Sequence, residues 1–384
     1  GSVATLMAQV LEEAGFDVGL FTSPHLERYN ERFRINGTPI DDLQLEELLY
    51  KTEDAIKKVE QDYPEYGAVT EFELGTALAF LYFAASEVDV VVLETGLGGR
   101  LDATSVVNPE LTVITSIGHD HMDRLGTSLA QIAYEKAGII KQGVPVVTGI
   151  QQPEAIRVLK EAAVQKNAPF YSLEQVQWKR LNWNIRGGHL SYPGYDFLEI
   201  RLLGAHQLDN AATALLALEV LQDKGWSISE QAIRSGLLKA RWSGRMEVVS
   251  SEPLVILDGG HNQEGLMALA DGLKHISSEI GSDRFTFIFG MLNSKDIRLV
   301  DILFPIAERF VFTKAESGRL LPMEPERLVR YGKSRGVTAV GYDSPLDAVQ
   351  DALETAPICV CGSLYLVGTI KRYLRTLGVL SKED

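Results

Sequence analysis

Long apolar runs are missing from this sequence. No stretch of about 18 apolar residues occurs, so no membrane-spanning helix is expected. Cysteine is scarce, with two in 384 residues. Both lie in Ile358-Cys-Val-Cys-Gly362, where strand alternation puts them on one face. Two lone thiols make a poor metal site, so they read as reduced core residues in a reducing, cytoplasmic compartment. Positive charge is short as well: 37 Lys and Arg stand against 52 Asp and Glu, a net charge of −15. That argues against a general binder of nucleic acid or anionic membrane, but it leaves room for an anionic substrate in a local basic pocket. The N-terminus lacks the basic-then-apolar layout of a signal peptide, and no repeat or low-complexity tract occurs.

What is present is an ordinary globular composition, 45% apolar and 23% charged, on a chain long enough for two domains. Val3, Leu6, Met7, Val10 and Leu11 fall at helical spacing, with Ser2 as the expected N-cap and Gly15 as the stop. Val18-Gly-Leu-Phe-Thr22 then reads as a strand. A helix feeding a parallel strand normally has a strand before it, so a first strand and its loop are expected ahead of Ser2, outside these residues. Helices are expected over 41–59, 72–86 and 128–140, and buried strands over 88–93, 111–116 and 145–148. This alternation indicates a parallel sheet with helices on both faces. Residues 170–203, rich in Tyr, Trp, Asn and Gly, read as a small antiparallel insertion. Helices over 206–221 and 229–239 lead to a linker, Arg241-Trp-Ser-Gly-Arg245. Strands at 254–257, 285–289, 309–312, 338–340 and 358–360 then form a second, Rossmann-like unit. The expected division is one domain over 1–245 and a second over 246–384.

Five polar clusters sit at strand or helix ends, where open α/β sheets bind ligands. They are Ser23-Pro-His-Leu26, Glu94 with its glycine loop to Ser105, Gly118-His-Asp-His-Met-Asp-Arg-Leu-Gly126, Tyr134-Glu-Lys-Ala-Gly138, and Leu257-Asp-Gly-Gly-His-Asn262. In the second, glycines are expected to let the backbone approach a ligand closely. Hydroxyl, carboxylate and imidazole from neighbouring strand ends suit a hard cation such as Mg²⁺. Each cluster also has a plainer reading. Glu94 could cap the next element, Lys136 could be a solvated helix residue, and Asp258 with His261 could form a structured turn. Gly96-x-Gly98-Gly99 does not have dinucleotide-fingerprint spacing.

Taken in order, these segments resemble the folylpolyglutamate synthase/dihydrofolate synthase family of the Mur ligase superfamily, over essentially the whole chain. The resemblance runs through Thr22-Ser-Pro-His-Leu26, Phe72-Glu73, Leu93-Glu94 to Ala103-Thr104, Asp120-His121 and Leu125-Gly126. It continues through Glu135-Lys-Ala-Gly-Ile139, His206-Gln207, Asn210-Ala211, Gly244-Arg245, Asp258-Gly259, His261-Asn262 and Gly362-Ser-Leu-Tyr-Leu366. The resemblance implies an α/β Mur-ligase-type ATPase domain followed by a Rossmann-like domain. It implies an ATP-dependent ligase in which a substrate carboxylate becomes an acyl phosphate and the amine of L-glutamate attacks it. It further implies Mg²⁺ at two sites, held by Ser23, Glu94, His121 and Lys136, with Lys136 carbamylated. ATP would be bound by Gly1, Ser2, Asn210, Arg245, Asp258 and His261. His261 would lie near the γ-phosphate, and domain closure would carry Arg245 onto phosphate. Thr70, Glu71, Phe72, Glu73, Leu101, Asp102 and Ala103 would line the pterin side. The partners implied are folate or dihydropteroate, L-glutamate and ATP, with neither nucleic acid nor membrane, and the superfamily suggests a monomer.

The family's phosphate loop reads Gly-Thr-Asn-Gly-Lys-Gly-Ser/Thr, and only Gly1-Ser2 could belong to it. Weak ATP binding and an inactive chain are therefore expected of these 384 residues alone. Ser105, Ser243 and Gly260 stand where the family often has Asn, Pro and Ala. Two alternatives remain: a Mur ligase acting on a cell-wall precursor, and a non-catalytic nucleotide-binding relative.

Overall fold

A computed structural model describes residues 1–315, 321–355 and 357–381. The chain falls into two compact units. The first takes residues 1–180, 190–200 and 208–240, and the second takes 181–189, 201–207 and the chain from 241 on.

The first unit opens with helix α1 (Ser2–Glu13), which buries Val3, Leu6, Met7, Val10 and Leu11 as the helical spacing predicts. Gly1 rather than Ser2 occupies its cap, and no side chain bonds there. Strands β1 (Val18–Phe21), β2 (Phe33–Ile35) and β3 (Thr38–Pro39) follow, then helices α2 (Asp42–Asp62) and α3 (Glu71–Ala85) and strand β4 (Val90–Leu93). These strands form one sheet in the order β3-β2-β1-β4, with β1 and β4 parallel. Next come β5 (Thr112–Ile114), α4 (Met122–Leu125), α5 (Leu129–Ala137), β6 (Val146–Thr148), α6 (Pro153–Gln165) and β7 (Phe170–Ser172). Their strands make a separate parallel sheet, β5-β6-β7. Both β4 and β5 are thus edge strands. This corrects the expectation of a fully buried run over 88–93: Val91 is 37% exposed and its neighbours are half-buried. The apolar run specified a strand; it could not specify what lies beside it.

Strands β8 (Lys179–Asn184), β9 (Gly187–Tyr192) and β10 (Tyr195–Ile200) form a three-stranded sheet in sequence order. Two-residue connections allow only antiparallel pairing, as expected for the insertion. Helices α7 (Ala205–Asp223) and α8 (Glu230–Lys239) follow.

The second unit contains β11 (Glu247–Ser251), β12 (Leu254–Leu257), α9 (Gln263–Ile280), β13 (Phe285–Phe289) and β14 (Ala307–Phe312). It continues with α10 (Pro325–Ser334), β15 (Ala339–Gly341), α11 (Pro345–Ala352), β16 (Ile358–Cys361) and α12 (Leu364–Thr376). Its six-stranded sheet runs β11-β12-β16-β13-β14-β15, parallel except for β11. The short, half-buried β11 escaped the sequence reading, because Glu-Val-Val-Ser-Ser lacks a clean alternation. Phe285, Phe287, Phe289, Phe310 and Phe312 are fully buried on β13 and β14 and anchor this core. Each such ring contributes roughly 1.5–3 kcal/mol by burial. Cys359 and Cys361 are free and buried in the same cluster, and burial pushes the Cys359 thiol up. Among the described residues no helix is long and apolar enough to cross a membrane.

Candidate active site

The first unit gathers several of the expected residues at the ends of β1 and β4. Glu94 follows β4, and one carboxylate oxygen accepts the Ser23 backbone N–H at 3.0 Å. The other oxygen contacts the Gly1 nitrogen. The parallel register, Phe21 beside Leu93, brings Ser23 and Glu94 together. The Glu94 side chain remains 22% exposed, so it is reachable by a ligand.

Lys136 enters this group through close backbone packing. Near the C-terminus of α5, the Arg100 N–H donates to the Glu135 carbonyl at 2.8 Å. A Cβ on Gly138 would lie 2.2 Å from the Arg100 Cα, so only glycine fits this contact. Gly98, at φ +69°, turns the loop toward α5. Arg100 also forks onto the Glu135 carboxylate, with nitrogen–oxygen distances of 3.0–3.2 Å. Burial pushes the Lys136 ammonium below the usual lysine range, while Asp120, Asp102 and Glu94 oppose that shift. Lys136 therefore lies within electrostatic reach of three carboxylates.

His121 caps α4 in the left-handed region, at φ +50°, and is exposed. Its backbone N–H donates to Oδ1 of Asp120 at 2.9 Å, and it is the Asp120 charge that acts on Lys136. Among the described residues no three His, Cys, Asp or Glu side chains converge as a metal cage. The donors present, one reachable carboxylate near Ser23, still fit Mg²⁺, which typically takes one or two carboxylates and completes its shell with phosphate and water.

The expected pterin-side residues are largely engaged with one another. Asp102 is buried: Oδ2 accepts Gly96 and Leu97 N–H at 2.9 and 2.8 Å, and Oδ1 accepts Thr104 N–H at 3.0 Å and its hydroxyl at 2.6 Å. It staples the glycine loop from inside. Thr70 and Glu73 close a capping box at the start of α3, worth about 1 kcal/mol. Glu71 pairs with buried Arg32 at 3.2 Å. The Phe72 ring packs against Phe21, and a Cβ on Gly96 would lie 2.5 Å from it. The glycines thus let the loop approach Phe72 and α5 closely. Leu101 differs from its neighbours: it is 80% exposed, an apolar side chain held outward by the staple. Ala103 begins the single 3-10 turn that Asp102 caps.

Sequence reasoning missed Gln151. It is buried, accepts the Ile117 N–H at 2.9 Å, donates to Thr148 Oγ1 at 2.8 Å and also donates to the Thr115 carbonyl. It fixes the exit of β5, which leads to Asp120 and His121. Its signal was an amide three residues past a buried strand.

Asn210 lies half-buried on α7. In the second unit, Asp258 follows β12 and is 7% exposed. Its Oδ1 accepts Gly260 N–H at 2.7 Å and its Oδ2 accepts Met246 N–H at 2.8 Å. Burial pushes its carboxyl up, opposed by the Arg245 charge and these two bonds. His261 Nδ1 lies 2.8 Å from the Gly259 carbonyl, which places the proton of the neutral ring on Nδ1. The expected linker over 241–245 is grouped with this second unit.

The Mur ligase middle domain matches residues 2–218, and the Mur ligase glutamate ligase domain matches residues 244–364. The chain is 39% identical to a dihydrofolate synthase/folylpolyglutamate synthase of Bacillus subtilis, over 98% of this chain and 88% of that protein. It is 34% identical to the folylpolyglutamate synthase of Lacticaseibacillus casei, over 97% and 87%. Among solved structures, it superposes on a Thermotoga maritima folylpolyglutamate synthase with TM-score 0.86 at 33% identity, covering 98% of this chain and 86% of that one. A Mycobacterium tuberculosis folylpolyglutamate synthase, crystallised with ADP and AMPPCP, matches with TM-score 0.87 at 31% identity, over 98% and 88%. The strand-end carboxylates and these matches agree: the chain belongs to the folylpolyglutamate synthase/dihydrofolate synthase family of the Mur ligases and is an ATP-dependent ligase.

Proposed function

We propose that the protein joins L-glutamate to tetrahydrofolate polyglutamates, and to dihydropteroate, through an acyl-phosphate intermediate. The observation that carries the chemistry is the parallel pairing of β1 with β4, which sets the Glu94 carboxylate against the Ser23 N–H at 3.0 Å, with Lys136 packed against the same glycine loop through the Arg100–Glu135 backbone bond. Burial lowers the Lys136 pKa, opposed by Asp120, Asp102 and Glu94. A lysine with more of its neutral amine can take up carbon dioxide as a carbamate. That converts a cation among three carboxylates into a further acceptor. Glu94 and Ser23 would hold one Mg²⁺, and His121 with modified Lys136 a second. Bound Mg²⁺ supplies charge stabilisation to phosphoryl oxygens.

This chain's own residues do the rest. Leu101 and Ala103 offer an apolar edge to the pterin, with Asp102 holding their loop in place. Thr70, Glu71, Phe72 and Glu73 shape the start of α3 beneath it. Arg245 binds phosphate by its fork of donors, and Asp258 keeps the turn before His261 fixed. His261 lies near the γ-phosphate, and Asn210, Gly1 and Ser2 contribute to ATP binding. In this reading residues 1–245 bind ATP and residues 246–384 receive glutamate, on one protomer in the cytoplasm.

The test is labelled-glutamate incorporation with tetrahydrofolate and dihydropteroate in parallel. Incorporation with both acceptors is expected. Incorporation into a nucleotide-linked cell-wall precursor instead would overturn the folate reading.

A further inference from the structure

Lys371 is the one lysine among the described residues that is nearly fully buried, 3% exposed on α12, and the chemistry above does not use it. Its amino group donates to Glu247 Oε1 at 2.9 Å and lies 3.4 Å from Ser243 Oγ. Glu247 begins β11, and its other oxygen, Oε2, accepts the Gly244 N–H at 2.9 Å. One carboxylate therefore ties α12 to the two residues just ahead of Arg245. From the opposite side, the Gly259 N–H donates to the Gly244 carbonyl at 2.7 Å, and the Met246 N–H donates to Asp258 at 2.8 Å. Met246 is buried at φ +49°, a backbone state a non-glycine residue keeps only when its surroundings impose it.

Arg245 sits in the middle of this brace. A Cβ on Gly259 would lie 3.0 Å from its Nη1, and its charge acts on Asp258. We propose that Lys371 and Glu247 are positioning residues that set the Arg245 guanidinium at the end of β12 for ATP phosphate. The proposal rests on the ligase reading of Arg245. An ion pair taken this far out of water is weak evidence of stabilisation, because apolar residues of similar size often serve as well. What the apolar pair could not do is accept the Gly244 N–H and so fix the segment carrying Arg245.

That difference supplies the test. K371M alone would strand the Glu247 carboxylate and E247Q alone the Lys371 ammonium, so the informative variants are K371M/E247L, which removes both charges and the acceptor, and K371M/E247Q, which removes both charges but keeps an acceptor for Gly244. Each is made in the full-chain enzyme and also on an R245A background. The expected result for K371M/E247L is a fall in kcat/KM for ATP of about tenfold to a hundredfold, carried mainly by KM, with the KM for glutamate unchanged. K371M/E247Q should recover part of that loss. On R245A neither change should cost more, because residues acting through one group are not additive. Wild-type ATP kinetics in a folded K371M/E247L protein, or in K371M/E247A should the first not fold, would overturn the proposal. So would full additivity with R245A. If R245A itself leaves ATP kinetics untouched, the reading of Arg245 has failed instead.

Discussion

Two loops of this molecule look alike in sequence and differ in the folded chain. Leu93-Glu94 and Leu257-Asp258 each end an apolar strand with a carboxylate and run into glycines. Glu94 is 22% exposed and accepts from the loop after β1. Asp258 is 7% exposed, and both its oxygens accept backbone N–H groups within its own unit. The cause is strand position. Strand β4 ends its sheet, so Glu94 has a paired neighbour on one side. Strand β12 lies between β11 and β16, so Asp258 is enclosed by the turn into β11 and by its own loop. The first carboxylate stays partly open, and the second holds backbone.

The largest expected effect separates these roles. Glu94→Ala should lower ligase turnover on the order of 10²–10³-fold, as loss of a group that stabilises developing charge does. Its urea midpoint should stay near that of the parent. A matching loss of stability would erase the contrast with Asp258. Asp258→Ala should instead destabilise by about 3 kcal/mol, because two buried backbone donors lose their acceptor. Equilibrium denaturation checks this, and an unchanged midpoint would show that the buried carboxylate holds nothing.

The smallest effect concerns pH on the Glu94 side. Arg32 Nε donates to His25 Nδ1 at 3.1 Å. Burial, then the Arg32 charge, lowers the His25 pKa, against opposing contributions from Glu31 and Glu71. With the folded pKa below the unfolded value of about 6.5, the unfolded chain binds the proton first as pH falls. Stability is unaffected above that value and drops on acidification below it, until the folded pKa is reached. His25→Gln should flatten this part of the profile, measured by denaturation between about pH 7.5 and about pH 5. A slope that survives the substitution belongs to other groups.

Much of this organisation was legible beforehand. The helix expected over 72–86 is α3, and that expected over 41–59 is α2, each shifted or extended by a few residues. Helical and strand periodicities are local, so they survive in the sequence. The brace around Arg245 was not legible, because Lys371 and Glu247 are 124 positions apart and each reads alone as a surface charge. Gln151 escaped for the same reason, its contact with Ile117 spanning 34 positions. The packing of the loop glycines against Phe72 and the backbone of α5 was likewise not legible, because those partners come from distant parts of the chain.

The sequence by itself determined the elements, the family and the placing of acids, hydroxyls and imidazoles at strand ends, because each depends on neighbours a few residues away. Only the tertiary structure decided which of those acids stays open and which is enclosed. That depends on whether a second strand and its backbone donors arrive from elsewhere in the chain. Glu94, on an edge strand, meets Ser23 and Gly1 and stays partly exposed, whereas Asp258, between two strands, is enclosed with Met246 and Gly260.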